Sequence, residues 1–303
     1  MISVVLPTYN GEQHIGASVR SILKQTYADF ELIIVDDCST DNTGNILQAL
    51  ASEDSRIKII HNMINQKLPK SLNIGFENAT GTYYTWTSDD NIYHNDAFEK
   101  MMKEFENNQE IDIVYALYNH INDDGEIIGQ VTEEQCRVSC MYHHDPIGAC
   151  FLYKRQVHEK LGGYDANRFL IEDYDFWLRA YRCFTYQLIP EKLYDYRKHE
   201  ASLTSNHSQQ IEAATVNRII EEMEAVQFTD NDYIVAYKRI IPFYYYQRNE
   251  QLLKKYVKKM KEISKNEYHK LPAYIRIGAK YGIVFGRIYS RFFEEKEKRC
   301  LCV

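Results

Sequence analysis

The 303-residue chain predicts an α/β fold: a mostly parallel sheet flanked by helices, followed by a helical C-terminal region. Three observations predict it. Apolar runs and helix-spaced apolar residues alternate as β-α-β-α-β-α-β over about the first 90 residues. Two of those runs end in paired aspartates, Asp36-Asp37 and Asp89-Asp90. From about residue 209 onward the spacing is helical.

The elements follow in order. Residues 2–6 form a short apolar run, closed by the turn-rich Pro7-Thr8-Tyr9-Asn10-Gly11. Ile15, Val19, Ile22 and Leu23 share one helical face. A second strand runs through 30–35, and Ser39, Thr40 and Asp41 are good N-cap types for a helix carrying Ile46, Leu47 and Leu50. Residues 56–60 predict a third strand, and Leu68, Leu72, Ile74 and Phe76 a third helix stopped near Gly81. A fourth strand over 83–88 leads to Asp89-Asp90. A helix at 97–105, a strand at 111–118, a hairpin turn at 123–126 and a strand at 147–153 come next. A helix at 174–182 and strand pieces at 184–189 and 193–196 complete a domain expected to span 1–205, leaving 206–303 as the helical region.

Composition narrows the function. Net charge of −7 argues against nucleic acid as a partner. Seven cysteines without metal-finger spacing imply no disulfide framework, and a reducing cytoplasm is the expected compartment. No apolar stretch approaches the ~20 residues needed to span a bilayer. Tyrosine occurs 25 times, with many copies in the C-terminal half.

The aspartate pairs carry the chemistry. Adjacent carboxylates at a strand's C-terminal mouth repel unless a positive group sits among them. A divalent cation with a diphosphate supplies it, because hard oxygen ligands suit Mg²⁺ or Mn²⁺. Open α/β sheets bind ligands at that same carboxyl edge.

Four segments in order and spacing then resemble one family. Residues 4–10 (VVLPTYN), 34–41 (IVDDCSTD), 88–90 (SDD) and 172–177 (EDYDFW) are similar to the motifs of family 2 glycosyltransferases. The resemblance covers roughly residues 1–205, and residues 89–93 look especially like small spore-coat polysaccharide synthesis members. It implies a GT-A fold with a Rossmann-like sheet, and inverting, metal-dependent transfer from a nucleotide-diphosphate sugar. The expected setting is cell-surface polysaccharide assembly, with a UDP-sugar as donor and a saccharide or lipid-linked saccharide as acceptor. The base could equally be deoxythymidine or guanine.

The resemblance, carried position by position, implies the roles. Pro7 and Tyr9 fall after the first strand, where Tyr9 would stack on the nucleobase or pack beside it. Asp37, or else Asp36, would read the base N–H. Asp89 would accept from the ribose hydroxyls and Asp90 would hold Mn²⁺ or Mg²⁺. Asp173 is the candidate base for the acceptor hydroxyl, and Glu172 would contact sugar or acceptor. Asp175, about 200° further round the helix, is expected to face elsewhere. Residues 196–202 (YRKHEAS) resemble the family's Tyr-Arg-x-His segment, so Arg197 would hold the leaving group and His199 would complete the metal shell or bind the diphosphate. Lys67 and Asn73, at the start of the third helix, would face the phosphates.

Two rivals are weighed. A nucleotidyltransferase would want a Gly-rich loop with Arg or Lys after the first strand, and residues 7–11 are not that. A nucleotide-sugar-binding protein without turnover would have no need of both Asp90 and Asp173. In the tail, Tyr274, Ile277, Tyr281, Val284, Ile288 and Phe292 predict one helical stripe over 273–293, flanked by Arg276, Lys280, Arg287 and Arg291. Such a helix packs on its own domain or lies on an anionic membrane face, which would make the chain peripheral on the inner leaflet.

Overall fold

The structure, a computed structural model, describes residues 1–200, 202–287 and 290. Strands β1 (Ile2–Thr8), β2 (Phe30–Asp36), β3 (Ile57–His61) and β4 (Tyr83–Trp86) are parallel, in the order β3-β2-β1-β4. Between them run α1 (Ile15–Leu23), α2 (Thr43–Glu53) and α3 (Leu68–Glu77). All seven residues of β1 and of β2 are buried, which is why their sequences read as continuous apolar runs rather than alternating ones. The strand order reverses between β1 and β4, and at such a switch the loops leave in opposite directions and open a crevice.

Beyond β4 the sheet becomes mixed. β5 (Ile92–Tyr93) and α4 (Ala97–Asn107) precede β6 (Ile113–Ile121) and β7 (Ile127–Gln130), a hairpin across the expected turn. β8 (Phe151–Lys154) runs antiparallel between β4 and β6, followed by α5 (Arg155–Leu161) and α6 (Glu172–Ala180). The two strand pieces expected at 184–189 and 193–196 are one strand, β9 (Tyr186–Arg197), parallel to β6. Pro190 and Glu191 bulge out where the register jumps from Ile189 to Lys192, because proline has no N–H for the ladder. A short α7 (Leu203–Asn206) follows.

The chain divides into two units. One comprises residues 1–141 and 145–211 and holds the whole sheet; the other comprises 142–144 and 212–303. The sheet's core is Ile2, Val4, Leu6, Leu32 and Ile34 with Ile15, Val19, Leu47 and Phe98, all essentially buried.

The second unit is built on α8 (Ser208–Ala225, mostly within it), α9 (Asp230–Tyr246), α10 (Glu250–Ile263), α11 (Lys265–Lys270) and α12 (Ala273–Tyr281). Thr229 and Asp232 form a reciprocal capping box at the start of α9. Several of its tyrosines are core: Tyr256 lies 5.6 Å from Tyr237 and stacks on Tyr244 at 5.7 Å between centroids. Tyr142 joins this unit through Phe228, 4.2 Å away.

The tail departs from its expectation. The helix predicted over 273–293 stops at Tyr281, and Gly282 turns the chain at φ 102°, a left-handed value that favours glycine. That turn shifts the buried face to Ile275, Gly278 and Ile283, while Tyr281, Val284 and Phe285 are exposed. Ile288, Arg291 and Phe292 lie outside the described residues.

Candidate functional site

A cavity of about 810 Å³ opens at the crevice between the ends of β1 and β4. This is a size that suits a small-molecule ligand. Thr8, the last residue of β1, donates its hydroxyl to Asp89 Oδ2 across the crevice. Gly11 passes so close that a Cβ there would lie 2.3 Å from the same oxygen, so a side chain here would displace Asp89 and Thr8. Burial pushes the Asp89 carboxyl up to about 6; the Thr8 hydrogen bond opposes that rise and the charge of Asp90 adds to it.

Asp90 has one oxygen 3.0 Å from His199 Nε2, and its other oxygen, Oδ1, is buried without a partner. An orphaned carboxylate oxygen beside an imidazole is a donor set that fits a hard divalent cation. Among the described residues no three His, Cys, Asp or Glu side chains surround a common point, so a diphosphate and water would have to supply the remaining ligands. His14, at the start of α1, faces the same pair, its ring 5.9 Å from that of His199 and its Nε2 3.5 Å from Asp123 Oδ1. Burial, and then the Arg197 charge, hold the His14 imidazole below its ordinary range.

Arg197 does not line the cavity. Its guanidinium donates to the backbone oxygens of Asp90, Asn122 and Asp123 at 2.9, 2.6 and 2.8 Å, and its N–H to Asn91 Oδ1 at 2.7 Å. It braces the loop that presents Asp90 from behind the wall. Asn73 is likewise elsewhere: its amide exchanges two hydrogen bonds with the backbone of Tyr164, at 2.7 and 2.9 Å. Asp36 is occupied by Ser39 N–H and by His61 Nδ1, 3.1 Å away. Arg197 and Asn73 were expected at the donor, and Asp36 only as the alternative to Asp37; each holds a bracing position off the cavity lining.

Asp37 does line the cavity, with Pro7, Tyr9 and Lys67. Its oxygens accept from Asn62 Nδ2, Gln66 N–H and Lys67 N–H at 2.8, 2.8 and 3.0 Å. They thereby hold the 62–67 loop and the left-handed backbone of Lys67 at φ 71°. A carboxylate has about four acceptor positions, so one stays available. Tyr9 is 52% exposed, an open ring at the cavity mouth.

Glu172 and Asp173 open α6 and both line the cavity. Asp173 Oδ1 accepts from Tyr174 N–H at 2.6 Å. Glu172 is 4% exposed, yet its Oε2 has no partner. Burial raises both carboxyls, and the Asp173 charge raises Glu172 further. Asp175 turns away into an ion pair with Arg179 at 2.8 Å.

Sequence reasoning missed Thr8, Gly11, His14, Tyr118, His120 and Asp145, all of which line the cavity. Asp145 carried a signal: an aspartate before Pro146 starts a turn. Its Oδ1 accepts from Ile147 and Gly148 N–H at 2.8 and 3.3 Å, and burial, with the Asp173 charge next, raises its carboxyl. Tyr118 and His120 carried none, since β6 alternation does not say which face meets a ligand.

Residues 3–162 match the model of Glycosyl transferase family 2. An uncharacterized glycosyltransferase of Haemophilus influenzae is 29% identical over 243 residues, 72% of each chain. Another from that organism is 27% identical over 254 residues, 80% of this chain and 85% of the relative. Among solved structures, S. aureus TarS residues 1–349 in complex with UDP-GlcNAc superposes at TM-score 0.69, with 18% identity over 97% of this chain and 92% of that one. The mannosyltransferase PcManGT of Pyrobaculum calidifontis, in complex with GDP-Man and Mn²⁺, superposes at 0.61, with 14% identity over 97% and 87%. The sheet order, the cavity at its switch point and the family match together make the fold GT-A, and the chain belongs to glycosyl transferase family 2.

Proposed function

We propose that this glycosyltransferase is an inverting, metal-dependent enzyme that moves a sugar from a nucleotide-diphosphate sugar, a UDP-sugar first, to an acceptor hydroxyl in cell-surface polysaccharide assembly. One observation carries the reading: a single cavity brings together the unpartnered Asp90 oxygen, its neighbour His199, and the carboxyl of Asp173. The UDP-GlcNAc bound by TarS and the GDP-Man and Mn²⁺ bound by PcManGT support a donor of this class.

The nucleobase sits by Tyr9, with the remaining acceptor position of Asp37 for its N–H. Asp89 accepts from the ribose, and Lys67 faces the phosphates. Asp90 and His199 would hold the cation, which would supply positive charge to the departing diphosphate. Asp173 takes the proton of the acceptor hydroxyl as that oxygen bonds to C1. The C1–O bond to the diphosphate breaks on the opposite face and its electron pair leaves with the nucleotide, so the anomeric centre inverts in one displacement. The same reading puts the chain on the inner membrane face through exposed Tyr281, Val284 and Phe285, with Lys280 exposed beside them.

A thermal-shift panel of nucleoside diphosphates with Mn²⁺ or Mg²⁺ tests the reading. UDP with metal should raise the midpoint, because a ligand that binds only the native state stabilises it. No shift with any nucleoside diphosphate would reject it.

A further inference from the structure

Part of the cavity is not used by the donor reading, and its chemistry is distinct. β6 alternation sets Tyr118 and His120 on one face, and the parallel register puts Tyr196 of β9 opposite His120. The three rings meet at 5.5, 6.0 and 6.1 Å between centroids. His120 Nδ1 is buried with no partner, and burial, then the exposed Lys198, hold the ring below its ordinary range. The Asp145 turn closes on these rings because Gly148, at φ 65°, has no side chain; a Cβ there would lie 2.5 Å from Tyr118 Cε1.

We propose that Tyr118, His120 and Tyr196 with Asp145 and Glu172 form an acceptor subsite for a neutral saccharide ring beside Asp173. The inference rests on the glycosyltransferase reading and names the acceptor class for that site. Sugars present apolar C–H faces, which aromatic rings cover, and a rim of hydroxyls, which buried carboxyls and an imidazole bind. Glu172 Oε2 and His120 Nδ1 are the orphaned atoms that such hydroxyls satisfy. An acceptor bearing carboxylate or phosphate at the ring would instead bring its charge against Asp173, ionised as the base, in a partly desolvated space where like charges repel strongly.

Saturation-transfer NMR on the full chain with UDP and Mg²⁺ tests it. The neutral probes are the methyl glycosides of glucose, galactose and N-acetylglucosamine; the anionic probes are glucuronate and glycerol 3-phosphate. Saturation should reach at least one neutral glycoside and neither anion. His120→Phe keeps the ring and removes its nitrogens. Asp145→Asn keeps an oxygen for the turn. Each should weaken the glycoside at least about fivefold, the scale of one hydrogen bond, with UDP affinity unchanged. UDP signals without any glycoside, anions that bind as well as glycosides, or glycoside affinity unmoved in His120→Phe would each overturn the subsite and leave the donor reading standing. If neither UDP nor glycoside receives saturation, both fall. Should Asp145→Asn fail to fold, His120→Phe decides alone.

Discussion

The roles proposed for Asp90 and Asp173 differ, so their substitutions should come apart. Asp90→Ala removes the orphaned oxygen and should abolish the gain in UDP affinity that Mn²⁺ confers, measured by calorimetry with and without metal. Asp173→Asn is nearly isosteric and cannot take a proton. It should keep donor affinity and lose transfer by at least about 10²-fold, the usual scale for a general base. Burial raises the Asp173 carboxyl, and the base must be ionised to act. The rate should therefore fall as pH drops through that raised value, with an acid limb above the ordinary carboxylate range. An acid limb at or below that range in the pH profile of kcat/KM would count against it. The aspartates were legible because each pair ends an apolar run, a local pattern. The bracing positions of Asp36, Asn73 and Arg197 were not, since their partners His61, Tyr164 and Asp123 lie 25, 91 and 74 residues away.

At the scale of elements, β1 to β4 and their helices could be read from periodicity because each is a local apolar pattern. The single β9 and the broken tail helix could not. One depends on a bulge that only pairing with β6 defines, the other on a left-handed Gly282. A half-buried histidine links α5 to its neighbours. His158 packs on Phe76 at 4.6 Å and on Tyr84 at 5.6 Å, and burial, then the Arg179 charge, lower its imidazole to about 4. Its folded value lies below the unfolded one, so the unfolded chain binds the extra proton. The stability it confers is full above about pH 6.5 and is lost as pH falls towards 4, by at most roughly 3 kcal/mol. Acid melting curves of His158→Phe should be flatter over that window than those of wild type. Parallel curves would show that this ring does not control acid stability.

For the whole molecule, the fold class was readable because the motifs sit at strand ends, while the tail's exposed face had to be seen. Tyr281, Val284 and Phe285 are 58, 67 and 60% exposed, so changing all three to serine should leave the helical unit folded. Truncation at residue 271 would not, because it removes buried Ile275 and Ile283. If the tail rests on an anionic membrane, the full chain should sediment with anionic vesicles at low salt and release at high salt, since screened charge contributes. The triple serine variant should not sediment. Absence of low-salt binding by the full chain would remove the membrane role.

The central claim is a single displacement at C1 run by Asp173. It is tested most directly by the anomer released when the protein, with Mg²⁺ and high concentrations of α-linked UDP-sugars, transfers sugar slowly to water. Proton NMR read before mutarotation should show the β anomer appearing first in the wild type, and none above background in Asp173→Asn. Release of the α anomer, or the same release by the variant, would contradict the account.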